Sequence, residues 1–139
     1  MEEFKIEMFE EEYKKNFPTH ESLTRPECQD LVNRLSTKYD LSSSNLEADL
    51  ASKQSFYSEC DAMDNFALID TLQNLGIEPM PIAFVNWYRF ERIDSFNIID
   101  LDKYFYDIWF PSADDIDLFD ESLSWILSIR HDGCVTFLK

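Results

Sequence analysis

The sequence predicts an α+β fold in which N-terminal helices pack on one face of a C-terminal antiparallel sheet of about four strands. Three observations carry that expectation. Apolar residues recur every three or four positions up to about residue 78, aromatic and β-branched runs take over from residue 82, and no strand-helix-strand alternation interrupts the change. With 139 residues, 45% of them apolar and 15% aromatic, one domain spanning 1–139 is expected, helical over about 1–78 and β over about 82–139. The chain carries 28 Asp and Glu against 12 Lys and Arg, a formal charge of -16. Its 12 Phe, 6 Tyr and 3 Trp offer enough apolar surface to offset chain entropy, so the acidity belongs to a folded domain rather than a disordered tail.

The elements follow in order. Ile6, Phe9, Tyr13 and Phe17 make one stripe of a first helix, glutamates fill most of the other positions, and Pro18 ends it. Thr24-Arg25-Pro26-Glu27 reads as a capping box with proline in the first turn, opening a second helix whose stripe is Cys28, Leu31, Val32, Leu35 and Tyr39. After the break at Ser42-Ser43-Ser44, Ser44 and Glu47 suggest a third helix carrying Leu46, Leu50 and Tyr57. Asp61 or Asp64 is expected to cap a fourth, with Phe66, Ile69, Leu72 and Leu75 inward, Gly76 as the left-handed stop and Pro79 beyond. Ile82 to Phe90 and Tyr104 to Phe110 then read as strands. Leu123, Trp125, Leu127 and Ile129 alternate with Ser124, Ile126, Ser128 and Arg130, which indicates a strand with one core face and one wetter face. A three-residue loop His131-Asp132-Gly133 would set Ile129 opposite Val135, Leu127 opposite Phe137 and Ser128 opposite Thr136. A two-residue Asp-Gly turn would instead oppose Ile129 to Thr136, so the pattern prefers the longer loop.

Counts exclude several function classes. Only two glycines, Gly76 and Gly133, are present and they stand far apart, so no glycine-rich phosphate cradle and no G-x-S-x-G elbow can form. Cys28, Cys60 and Cys134 are an odd number without a C-x-x-C, which argues against a disulfide framework or a zinc site and for a reducing compartment. There is no basic-then-apolar leader pattern and no run near the roughly 18 apolar residues of a membrane span, so a cytoplasmic protein without membrane contact is expected. A surface this acidic repels nucleic-acid phosphates and anionic lipid and favours a cationic protein partner.

The acids concentrate between Asp100 and Glu121, where Asp100, Asp102, Asp107, Asp114, Asp115, Asp117, Asp120 and Glu121 face the single base Lys103. Part of this stretch reads as a connection between strands that would crowd carboxylates at one sheet edge. A calcium loop would place acids at alternating positions around a glycine, and this stretch has no glycine. A catalytic carboxylate pair lacks a supporting Lys, His or glycine-rich element. Two readings remain: a solvated face with Ile116, Leu118 and Phe119 packed beneath, or a docking surface for a basic protein. The charge density favours docking. His20 and His131 lie in polar loops without a nucleophile partner. Arg89 and Arg92 near Trp87, Tyr88 and Phe90 would suit a base-stacking strand, but Glu91, Asp94 and the overall charge argue against it and favour core packing for the rings. Tyr88, Tyr104 and Tyr106 are candidate interface anchors if they lie on an exposed sheet face.

The stretch from Tyr106 to Gly133, with its Asp107-x-Trp109-x-Pro111-Ser112-x-Asp114-Asp115 segment and strand-turn-strand ending, resembles small acidic bacterial immunity proteins encoded beside polymorphic toxins, including contact-dependent growth inhibition systems. The resemblance implies a non-enzymatic inhibitor, without cofactor or metal, that covers the active site or substrate groove of a cognate toxin domain, with a cationic nuclease as the expected partner. The eight acids from Asp100 to Glu121 would then occupy phosphate positions in that groove. A different class with the same charge is a nucleic-acid mimic that inhibits a DNA-binding enzyme.

Overall fold

The computed structural model describes residues 1–139. Helices α1 (Glu3–Tyr13), α2 (Arg25–Tyr39), α3 (Leu46–Lys53), α4 (Leu68–Asn74), α5 (Ile98–Lys103) and α6 (Phe105–Ile108) accompany strands β1 (His20–Ser22), β2 (Ser55–Phe56), β3 (Ile82–Tyr88), β4 (Arg92–Asn97), β5 (Ile116–Asp120), β6 (Ile126–Ile129) and β7 (Val135–Leu138). All seven strands form one antiparallel sheet in the order β1-β4-β3-β5-β6-β7-β2. The α+β class holds, but the sheet has seven strands rather than about four. Two short strands from the N-terminal half, β1 and β2, close its edges, where brevity limits the unpaired backbone offered to other chains.

Helices cover both faces of the sheet, not one. Strand residues alternate between two separate cores. Ala83, Val85, Phe96, Leu118, Leu127 and Val135 join Phe9, Leu72, Leu101, Phe105 and Trp109 beneath α1 and α4–α6. Phe84, Ile93, Phe119 and Ile126 join Cys28, Leu31, Leu35 and Leu50 beneath α2 and α3. The expected wetter face of β6 is therefore dry, since Ile126 and Ser128 are both fully buried.

Local signals explain what formed. Thr24 accepts from the Glu27 N–H and Glu27 Oε1 accepts from the Thr24 N–H, completing the capping box of α2. The hairpin loop is the three-residue form: Ile129 pairs with Val135, Leu127 with Phe137 and Ser128 with Thr136, and Gly133 has φ 90°. Gly76, at φ 73°, follows α4 as the left-handed stop.

Three expectations are corrected. Tyr104 to Phe110 contains no strand; its middle is the short helix α6, and Leu101 of α5 with Phe105 and Ile108 of α6 are buried at spacings of four and three. Ile82 to Phe90 ends its strand at Tyr88, because Arg89 and Phe90 adopt φ 49° and 57° and turn the chain into β4. The supposed connection around Asp117 is β5, the central strand of the sheet. Helices α3 and α4 also lack the expected caps, beginning after Asn45 and Ala67 without a capping side chain of their own.

Candidate functional site

The structure takes the acids from Asp100 to Glu121 apart. Asp117 is 4% exposed and points to the α2–α3 face. It accepts from Asn86 Nδ2 at 2.9 Å, Ser128 Oγ at 2.5 Å and Arg130 at 3.2 Å. Asn86, Asp117, Ser128 and Thr136 are successive register partners, so they form a polar row across β3, β5, β6 and β7. Gln54, just past α3, donates to Ser128 and accepts from Thr136. Asp120, fully buried, accepts from the Trp125 indole at 2.8 Å, the Met80 N–H at 2.9 Å and the Ser122 N–H at 3.0 Å. Each buried carboxylate thus has the donors that its desolvation requires.

Four more acids also hold the fold together. Asp102 Oδ1 accepts from the Ile69 N–H at 3.1 Å, so α5 supplies the cap that α4 lacks. Asp107 accepts from the Tyr13 hydroxyl at 2.9 Å; with burial, this pushes the phenol up to about 12. Asp114 accepts from the Phe110 N–H at 2.8 Å and from Lys5 at 2.5 Å. Lys5 is 1% exposed, with its ammonium over the Trp87 ring at 4.3 Å and the Phe110 ring at 4.8 Å. Asp115 accepts from the His131 N–H at 2.7 Å and pairs with its ring at 2.9 Å. Burial alone would raise the Asp115 carboxyl, but the two His131 hydrogen bonds outweigh it and hold the group below its usual value. The same bond raises the His131 imidazole. Asp114, Asp115 and Asp117 do share a cleft with Glu47 and Trp87, yet each is already partnered within the fold.

Of the two remaining acids, Glu121 lines a groove on the α2–α3 side and Asp100 lines a neighbouring pocket. Helix α2 places Glu27, Asp30, Leu31 and Arg34 along one face at spacings of three and four. Opposite them, Glu21, Ser95 and Phe84 form a register row across β1, β4 and β3. The groove has a volume of about 570 Å³ and an apolar floor of Leu23, Leu31, Ile82 and Phe84; its rim carries Glu21, Glu27, Asp30 and Glu121. Ile82, 48% exposed, is an apolar side chain that the fold leaves open to water. A second pocket, which shares Glu21, Ile82 and Ser95 with the groove, is lined by Asp100.

Arg34 is the groove's single base. Its Nε lies 3.0 Å from Asp30 Oδ2 and its Nη1 lies 2.8 Å from Glu121 Oε1, so one guanidinium bridges two carboxylates. The Glu121 bond is the main reason the Arg34 guanidinium is raised further. No protein family, curated protein or solved structure matches the chain. No three His, Cys, Asp or Glu side chains converge as metal ligands, and no helix is long and apolar enough to cross a membrane.

Sequence reasoning missed Glu21, Glu27 and Asp30 as site residues. The visible signal was on α2, where Glu27, Asp30 and Arg34 lie beside Leu31 at the edge of the apolar stripe. Of the three tyrosines considered as anchors, Tyr104 is buried in the core beneath α1 and α4–α6, and Tyr106, on α6, donates to the Ala62 carbonyl and accepts from the Phe66 N–H. Tyr88 alone is an open sheet residue, 51% exposed.

Proposed function

We propose that this chain is a non-enzymatic binding protein for a cationic protein domain, of the immunity type that neutralises a cognate toxin, and that the α2 groove is its contact surface. The observation that supports this most is the rim of Glu21, Glu27, Asp30 and Glu121 around an apolar floor, with Arg34 as the only base. Carboxylates at a rim speed encounter with a basic partner, and an apolar floor slows its departure. The net charge of -16 adds a long-range field of the same sign. The contact surface moves away from Asp102, Asp107, Asp114, Asp115, Asp117 and Asp120, whose carboxylates hydrogen-bond to other groups of the chain, in the interior for Asp117 and Asp120 and at the surface for Asp107 and Asp115. It keeps Glu121 at its rim, with Asp100 in the adjoining pocket.

The test is co-expression and binding with the product of a neighbouring toxin gene. This chain should restore growth and bind with an association rate that falls roughly tenfold or more between low and physiological salt. A salt-independent rate, or turnover of a substrate by this chain alone, would refute the reading.

A further inference from the structure

The geometry points to a guanidinium seat in the α2 groove, so that the partner, on the cationic-protein reading above, inserts an arginine whose alkyl stem lies on Leu31, Ile82 and Phe84. The carboxylates of Asp30 and Glu121 are already spaced to hold one guanidinium, because Arg34 bridges them at 3.0 and 2.8 Å. Glu21 makes no ion pair within the chain, and Glu27 uses one oxygen on the Thr24 N–H, which leaves its other oxygen free. The groove therefore has more carboxylate capacity than its own base consumes. A planar fork can pair with two carboxylates at once where an ammonium acts as a point charge, which selects arginine over lysine. The apolar floor suits the three methylenes of an arginine stem and would leave a purely polar cation without contact.

Arg34 is in this arrangement an internal stand-in. It screens Asp30 and Glu121 from other cations until an incoming arginine displaces it or shares the pair. Removing it frees both carboxylates, so the variant Arg34→Ala should bind an arginine ligand more tightly even though it loses contacts within the protein.

The experiment uses the isotope-labelled full chain and two synthetic peptides, one with two arginines flanked by leucines and one with lysines in their place, titrated by NMR at low salt. The arginine peptide should shift the amides of Leu23, Asp30, Ile82, Ser95 and Glu121, and bind at least about threefold more tightly than the lysine peptide. The double variant Glu21→Gln/Asp30→Asn should weaken it about tenfold. Arg34→Ala should tighten it about threefold, while Lys38→Ala, an equal change of charge elsewhere on α2, should leave it within experimental error. Equal affinity for the two peptides, no gain in Arg34→Ala, or shifts centred on α1 or on the Asp114–Asp117 cleft would overturn the seat while leaving a cationic partner in place. Failure of both peptides to bind would count against the seat and the cationic-partner reading together.

Discussion

Asp117 and Glu121 are four residues apart and carry the same charge, yet they do opposite work. Asp117 sits within a closed set of donors from Asn86, Ser128 and Arg130, so Asp117→Ala leaves those donors unsatisfied and should cost about 2–4 kcal/mol, read as a lower urea midpoint at constant m. Glu121→Gln touches only an exposed pair with Arg34 and should change stability by less than about 0.5 kcal/mol. If the two variants were equally harmless, the polar row would not be a structural unit. The Asp115–His131 pair offers a pH readout. The raised imidazole contributes stability below its unfolded value, 6.5, and loses it as pH rises through the higher folded value. The depressed Asp115 carboxyl contributes above its own unfolded value, 3.8, and loses it as pH falls through the lower folded value. Both contributions are therefore complete only between those two values. Proton NMR should place the His131 midpoint above 6.5, and Asp115→Asn should return it to the ordinary range; an unshifted imidazole would mean that the hydrogen bond does not persist in solution.

Among the elements, those specified by neighbouring residues were legible and those specified by distant ones were not. Thr24 with Glu27, Gly76, and the loop from His131 to Gly133 each fix their geometry within a few positions, and all three were readable. Strand β5 was hidden because Asp117 and Asp120 look solvated until Asn86 and Ser128 arrive from neighbouring strands and Trp125 folds back from the turn before β6. Its alternation of Ile116 and Leu118 was the available signal, outweighed by the acids. The α5–α6 segment was hidden differently: aromatic density suggested a strand, while Leu101, Phe105 and Ile108 already followed the helical period. Asp102 as the cap of α4 could not be read at all, since donor and acceptor are 33 positions apart. The second layer has a direct test in Ile126→Ser. A strand with a wetter outer face would tolerate it, whereas packing beneath α2 and α3 predicts a loss of about 2–4 kcal/mol, measured by chemical denaturation.

At the scale of the molecule, a charge of -16 on 139 residues makes self-repulsion a general opponent of the compact state. Adding neutral salt to a low-salt buffer should raise the thermal midpoint by several degrees, through screening at about a 10 Å Debye length near 0.1 M. A midpoint that fell instead would mean that internal pairs such as Lys5–Asp114 are screened more than the repulsion is. The two cores are unequal, with 24 buried residues beneath α1 and α4–α6 and 11 beneath α2 and α3. Local opening is easiest where the least apolar surface is lost. The α2–α3 layer should then exchange its amide hydrogens with solvent faster than the central strands, which makes the groove wall the most adaptable part of the protein. A wall that breathes can adjust to partners of differing shape without disturbing the rest of the fold.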